Sequence, residues 1–171
     1  LFVVVPGRLI EQTSLSVQSH SWVYLAAMFA GFVGMVPLMI QAERRNRPAL
    51  SFVLAAIALS ASIVWASQAT GFGLVGAILL FFVGFNGLEA LLPSYVSKAA
   101  PGHAKGTVMS IYSTSQFIGT FIGAMLGGLI ASNIASVWFI GAVAVLPIIW
   151  AMGAVGLMTK VAVSNTAITE N

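Results

Sequence analysis

Long apolar segments alternate with short polar segments along this chain. A helix needs about 20 predominantly apolar residues to cross the hydrocarbon core of a bilayer. Segments of about that length lie at residues 22–40, 49–66, 74–95, 106–130 and 134–158. The pattern therefore predicts five membrane-spanning helices within a half-domain at residues 7–158. A shorter apolar segment at residues 1–6 is expected to be the end of a truncated transmembrane helix.

Lysine and arginine residues fall into alternate connections between the predicted helices. Loops 41–48 and 96–105 and the polar tail 159–171 lie on one side of the membrane, and loop 7–20 lies on the other. The first side carries Arg44, Arg45, Arg47, Lys98, Lys105 and Lys160, and the second carries only Arg8. Because cytoplasmic loops carry an excess of Lys and Arg, we expect the first side, with the C-terminus, to be cytoplasmic.

The composition indicates that lipid is the surrounding solvent. The chain is 59% hydrophobic and 6% charged, whereas soluble domains carry about 25% charged residues. Its seven Lys and Arg against four acidic residues are explained by loop bias and do not indicate nucleic-acid binding. The chain has no cysteine, so it offers no disulfide framework and no thiolate metal site. The sequence thus predicts an integral membrane protein whose main partner is the lipid bilayer.

Glu89 is the only Lys, Arg, Asp, Glu or His between residues 48 and 97. A charge at membrane depth costs at least ~2.5 kcal/mol, and such residues are functional by default. Glu89 is therefore the centre of a candidate proton or substrate site. The alternative is a protonated Glu89 that makes a fixed structural hydrogen bond.

Two neighbours on the same predicted helix belong to this candidate site. Asn86 precedes Glu89 by three residues, so the two share a helix face. Pro93 removes the backbone hydrogen bond to the carbonyl of Glu89 and is expected to kink or end the helix. We therefore predict Asn86 as a second site residue and Pro93 as a hinge.

The following helix offers hydrogen-bond partners for Glu89. Glu89 lies about five residues before the cytoplasmic end of its span, and Tyr112 lies about five residues after the start of the next, which places both roughly 7–8 Å deep. Tyr112, Ser113 and Gln116 are the candidate partners. The alternative is that hydroxyl groups here bond backbone carbonyls of their own helix.

Glycines recur at four-residue intervals on the same helix, at Gly119, Gly123 and Gly127. Such a face lets another helix backbone approach closely. We predict a helix-packing interface here, which serves either as static packing or as a sliding surface between two moving halves.

No residue pattern points to catalysis or to a bound cofactor. There is no nucleophile elbow, no pair of carboxylates and no metal-ligand spacing. His20 and His103 stand alone in loops on opposite sides of the membrane. We therefore expect no enzyme activity, no metal and no cofactor.

The loop after the first full span resembles a known signature. Glu43, Arg44, Arg45 and Arg47 are similar to the Asp-Arg-x-Gly-Arg signature that follows the second helix of each half in the major facilitator superfamily. Glu replaces Asp here, Asn46 replaces Gly, and Met39 stands where the motif has an upstream glycine. The resemblance marks residues 43–47 as a cytoplasmic signature loop.

A second resemblance covers residues 85–94, 105–107 and 112–119. These segments are similar to helices ten and eleven of YajR-type transporters, in the drug:proton antiporter-like branch of that superfamily. The resemblance implies an all-α C-terminal half, helices seven to twelve, whose N-terminal half is missing from the chain. It places Glu89 and Asn86 on a cavity-lining helix and the glycine face between the two halves.

The resemblance also implies a function and a location. We expect alternating-access transport in a bacterial inner membrane, with proton-coupled efflux of a small-molecule substrate and with Glu89 as the proton carrier. Two alternatives stay open, namely an uncoupled facilitator in the same fold and a non-transporting membrane scaffold. No residue pattern specifies the class of substrate.

Overall fold

The computed structural model describes residues 17–45, 47–131 and 137–169. Five α-helices follow one another along the chain, with a single 3₁₀ turn at Gly102–Ala104. The helices are α1 (Val17–Glu43), α2 (Pro48–Gln68), α3 (Phe72–Ala99), α4 (Lys105–Ala131) and α5 (Val137–Thr169). The described residues contain no strand, and the predicted all-α bundle is confirmed. The predicted helix end at residues 1–6 lies outside the described residues.

The helices extend beyond the apolar segments that predict them. α3 continues past residue 95 to Ala99, so Pro93 lies inside the helix and does not end it. Of the two outcomes expected at Pro93, an end of the helix is therefore wrong. α5 likewise continues through residues 159–169, which the sequence marks as a polar tail. Polar residues at these ends are compatible with helix because they lie where the helix leaves the apolar layer.

Four helices are long and apolar enough to cross a membrane. The matching segments are Tyr24–Glu43, Pro48–Gln68, Phe72–Ala99 and Ile140–Met158. α4 has 27 residues but does not meet the same criterion in its described part, because a run of polar residues occupies positions 112–116. The span predicted at residues 106–130 therefore stays a prediction, although the segment is helical.

α3 is the central helix of the bundle. It packs along α1 and α2, and α2 also packs against α5. α4 contacts α3 over a much shorter stretch. Two apolar clusters support this arrangement, one at each end of the helices. The first contains Ala27, Ala66, Ala69, Leu74, Ala77, Ile78 and Phe82, and the second contains Ala42, Phe52, Leu91 and Met158.

Glycines let α3 approach α1 and α2 very closely. A Cβ atom at Gly84 would lie 2.7 Å from the backbone oxygen of Ala55 on α2. A Cβ atom at Gly87 would lie 2.8 Å from the Leu38 Cδ1 atom on α1. Helices in lipid are held together largely by such close packing. This contact, rather than the glycine face of α4, is the tight glycine interface within the described residues.

Candidate functional site

Glu89 and Gln116 join α3 to α4 by a hydrogen bond. The Gln116 Nε2 atom donates to the Glu89 Oε1 atom at 2.7 Å. Of the three partners that the sequence offers, Gln116 is the one that makes this bond. The contact places an amide donor from one helix on the carboxylate of the next, so the charge state of Glu89 acts directly on the contact between the two helices.

The pair lies deeper than the sequence indicates. Glu89 precedes the end of α3 at Ala99 by ten residues, and Gln116 follows the start of α4 at Lys105 by eleven. At ~1.5 Å per residue both side chains are therefore ~15 Å from the helix ends. The expected depth of 7–8 Å was too shallow because both helices extend further than their apolar segments.

Tyr112 lies one turn before Gln116, on the same face of α4. Its hydroxyl is buried and has no hydrogen-bond partner, and the charge of Glu89 acts on it electrostatically. A buried polar group without a partner costs about 1–3 kcal/mol. The Tyr112 hydroxyl is therefore available as a second hydrogen-bonding group next to the Glu89–Gln116 pair.

The other hydroxyl groups of α4 behave as the alternative interpretation expects. Ser110, Ser115 and Thr120 each donate to the carbonyl four residues earlier in their own helix. Ser113 is partly buried and is not the residue that bonds Glu89. Its predicted role in the site stays a prediction.

Asn86 contacts α1. Its Nδ2 atom lies 3.1 Å from the position that a Cβ atom on Gly31 would take. The amide therefore lies at the close contact between α1 and α3, whereas Glu89 turns toward α4. Membership of Asn86 in the site stays a prediction.

The surface of α4 around the site is open. Phe117 and Phe121 are 74% and 69% exposed, and no atom lies within 4 Å of a Cβ atom built at Gly119 or Gly123. Nothing in the described part of the chain covers this face. The predicted interface at Gly119, Gly123 and Gly127 therefore stays a prediction.

The signature loop is attached to the end of α3. The Lys98 Nζ atom donates to both carboxylate oxygens of Glu43, at 2.6 and 2.5 Å, and the Ser94 hydroxyl donates to one of them at 3.0 Å. Sequence reasoning missed this cluster. The one signal was that loops 41–48 and 96–105 were both assigned to the same side of the membrane.

Charges gather at one end of the bundle, which we call the basic end. It carries Arg44, Arg45, Arg47, Lys98, His103 and Lys105, and all six side chains are exposed. Glu43 is the acid at this end in the described part of the chain, and Lys98 pairs with it. The turn at Ala69–Gly71, at the opposite end, carries no charge.

The described residues offer no obvious metal site. No three His, Cys, Asp or Glu side chains lie together anywhere in the described ranges. The chemistry available at the Glu89 site is therefore proton binding, hydrogen bonding and attraction of a positive charge by its carboxylate.

The chain matches known transporters. The family model of the Major Facilitator Superfamily matches residues 1–168. The inner membrane transport protein YajR of Escherichia coli K12 is 42% identical over 120 residues, which cover 69% of this chain and 26% of that protein. An uncharacterized transporter of Buchnera aphidicola subsp. Acyrthosiphon pisum is 29% identical over 122 residues, covering 70% of this chain and 31% of that protein. The chain thus aligns with about a quarter to a third of these relatives.

Proposed function

Because the chain belongs to the Major Facilitator Superfamily, as its resemblance predicts, we propose that it forms the C-terminal half of an alternating-access transporter that exports a small molecule in exchange for protons. Glu89 is the proton carrier in this proposal. The missing N-terminal half supplies the rest of the cavity. Transport is supported by the family and by the printed names of the relatives, which are transporters.

The observation that carries the proposal is the hydrogen bond between Glu89 and Gln116. It joins a carboxylate, on a helix otherwise free of charge until Lys98, to a helix that touches α3 over only a short stretch. A bond to a charged group is stronger than one between neutral groups. Protonation of Glu89 therefore weakens the attachment of α4 to α3, and loss of the proton restores it.

Access to water supplies the second half of the cycle. A carboxyl group closed off from water favours its neutral form, whereas a hydrated one favours its charged form. A cavity that is closed on one side and open on the other therefore loads Glu89 with a proton in one state and unloads it in the other. The buried Tyr112 hydroxyl is placed to hydrogen-bond the carboxyl group or the substrate.

Proton flux in vesicles tests this proposal. The intact protein is reconstituted with a pH-sensitive dye inside, and a panel of fluorescent drug-like compounds is added. We expect compound-driven proton movement for the wild type and for Ser113→Ala, and a loss of at least tenfold for Glu89→Gln. Coupling at the wild-type level in Glu89→Gln would contradict the assignment of Glu89.

A second candidate is an uncoupled facilitator in which Glu89 binds substrate or braces α4. The geometry that favours it is the same bond, since Gln116 also makes a good fixed partner for a carboxylate. In this case Glu89→Gln changes the affinity for substrate, and transport is independent of the pH gradient in both proteins. A scaffold without transport is distinguished by cysteine labelling at positions 82, 86, 89 and 93, because only a cavity-lining helix labels along one face.

We also propose that the basic end faces the cytoplasm of a bacterial inner membrane. The concentration of Arg44, Arg45, Arg47, Lys98 and Lys105 at this end supports that orientation. It places the C-terminus on the cytoplasmic side, because α5 ends at the same side as α1 and α3 in an up-and-down order of five helices.

A further inference from the structure

Three polar side chains connect the end of α1 to the end of α3. Lys98 donates to both oxygens of the Glu43 carboxylate, and the Ser94 hydroxyl donates to Oε1 as well. Three hydrogen bonds on one carboxylate fix the rotation of α3 relative to α1 as well as the distance between the helix ends. Glu43 is the last residue of α1, so its backbone position is set by the helix and not by a loose loop.

The cluster lies directly beyond the weak point of α3. Pro93 has no backbone N–H, so the carbonyl of Glu89, four residues earlier, lacks its usual helical donor. Ser94 is the next residue, and Lys98 follows one turn later on the same face. The helical turn between Glu89 and Ser94 is therefore held from two sides, by Gln116 on α4 and by Glu43 on α1.

We propose that Glu43, Lys98 and Ser94 form a clamp that positions Glu89 opposite Gln116. The clamp holds the turn after Pro93 against α1, so that the missing backbone bond does not let the Glu89 carboxylate rotate away from α4. These are positioning residues, since none of the three contacts Glu89. The purpose given to the clamp rests on the proposed function, but the positioning itself is measured without transport.

Stability alone does not account for this cluster. The side chains of Lys98 and Glu43 are 62% and 44% exposed, and exposed ion pairs contribute little to folding. Arg44 and Arg45 are nearer to Glu43 in sequence, yet Lys98, 55 positions away, takes the carboxylate. The pairing therefore serves to select one arrangement of two helix ends rather than to add binding energy.

Labelling by dicyclohexylcarbodiimide tests the clamp in the intact protein. The reagent attacks protonated carboxyl groups in apolar surroundings, so the rate at Glu89, read by peptide mass, rises when Gln116 no longer holds the charged form. We expect Glu43→Gln to raise this rate at least threefold. The exchanged pair Glu43→Lys with Lys98→Glu should return it to within a factor of 1.5 of the wild type, and Arg45→Gln should leave it unchanged as the matched loss of a neighbouring charge.

The decisive step repeats Glu43→Gln in a Gln116→Leu background. If the clamp acts through the Glu89–Gln116 bond, Glu43→Gln produces no further rise there. An unchanged rate in Glu43→Gln, an equal rise in both backgrounds, an equal rise in Arg45→Gln, or failure of the exchanged pair to restore the rate would each overturn the clamp. Proton flux retained in Glu89→Gln would overturn the proposed function instead, so the two failures are distinguishable.

Discussion

α3 meets its neighbours in two different ways. Toward α1 and α2 it presents Gly84 and Gly87, whose missing side chains let the helices approach to backbone contact. Toward α4 it presents Glu89, whose hydrogen bond to Gln116 joins two helices with few other contacts. Close packing is what holds helices together in lipid. The difference therefore divides the described chain into a tightly packed block of α1, α2 and α3 and a more loosely attached α4.

The division assigns different work to the two regions. The packed block keeps its arrangement whatever the charge on Glu89, because its contacts are steric. The attachment of α4 depends on a polar bond and changes with protonation. A transporter needs both properties, a rigid unit to carry the movement and a contact that responds to the transported ion. Each prediction below changes one residue of the packed block and a matched residue of α4.

Removal of a large aromatic side chain should give the largest difference. Phe52 is fully buried on α2, with Tyr95 and Trp150 at ring-centroid distances of 6.2 and 6.0 Å. Phe52→Ala leaves a cavity where three helices meet and should cost about 3 kcal/mol or more of unfolding free energy. Phe117→Ala, at a 74% exposed site on α4, should cost less than about 0.5 kcal/mol.

Unfolding in mixed detergent micelles, followed by tryptophan fluorescence, measures both variants. Equal losses would mean that α4 is packed as tightly as the block, and the division would then be wrong. A loss confined to Phe52→Ala supports it.

The helices of the block could be predicted from the sequence, but their contacts could not. Apolar length alone places a helix over each of the five segments. The glycines that matter for packing are Gly31, Gly34, Gly84 and Gly87, which are spaced by three residues on each helix. The more familiar four-residue spacing lies on α4, where the described chain brings nothing against Gly119 or Gly123. Which glycine face is used depends on which helices are neighbours, and a single helix does not specify its neighbour.

Addition of one methyl group should give the next largest difference. At Gly84 the new Cβ atom would lie 2.7 Å from the carbonyl oxygen of Ala55, so two backbones must separate. Gly84→Ala should therefore cost about 1–3 kcal/mol. At Gly123 nothing lies within 4 Å, and alanine is the better helix former by up to about 1 kcal/mol. Gly123→Ala should be neutral or stabilising.

The pair of variants also tests the predicted interface between the two halves. In the intact protein a loss of stability for Gly123→Ala, measured by the same unfolding assay, would show that another helix packs against α4. The comparison would then hold for this half alone and not for the assembled transporter.

The site was predicted in part, and its errors have a physical cause. Glu89 and Gln116 are identifiable because unsatisfied polar groups in lipid are costly, so an isolated acid implies a nearby polar partner. The depth was underestimated because Ser94, Ser97 and Lys98 were read as the end of a helix, although polar residues continue helices readily outside the apolar layer. The link between Glu43 and Lys98 joins residues 55 positions apart, and only the packing of α1 on α3 brings them together.

Loss of one hydroxyl group should give the smallest measurable difference. The Ser51 hydroxyl on α2 is fully buried and donates to the backbone oxygen of Leu38 on α1 at 2.9 Å. Ser51→Ala removes a bond between two helices, which in membrane proteins contributes about 0.6 kcal/mol on average. Ser115 on α4 donates to Ile111 in its own helix at an exposed position. Its removal leaves contacts between helices intact, so Ser115→Ala should cause no loss in the same unfolding assay. A larger loss for Ser115→Ala than for Ser51→Ala would place the stabilising contacts of the chain on α4 and reverse the comparison, because each hydroxyl contributes to packing only where it joins two helices.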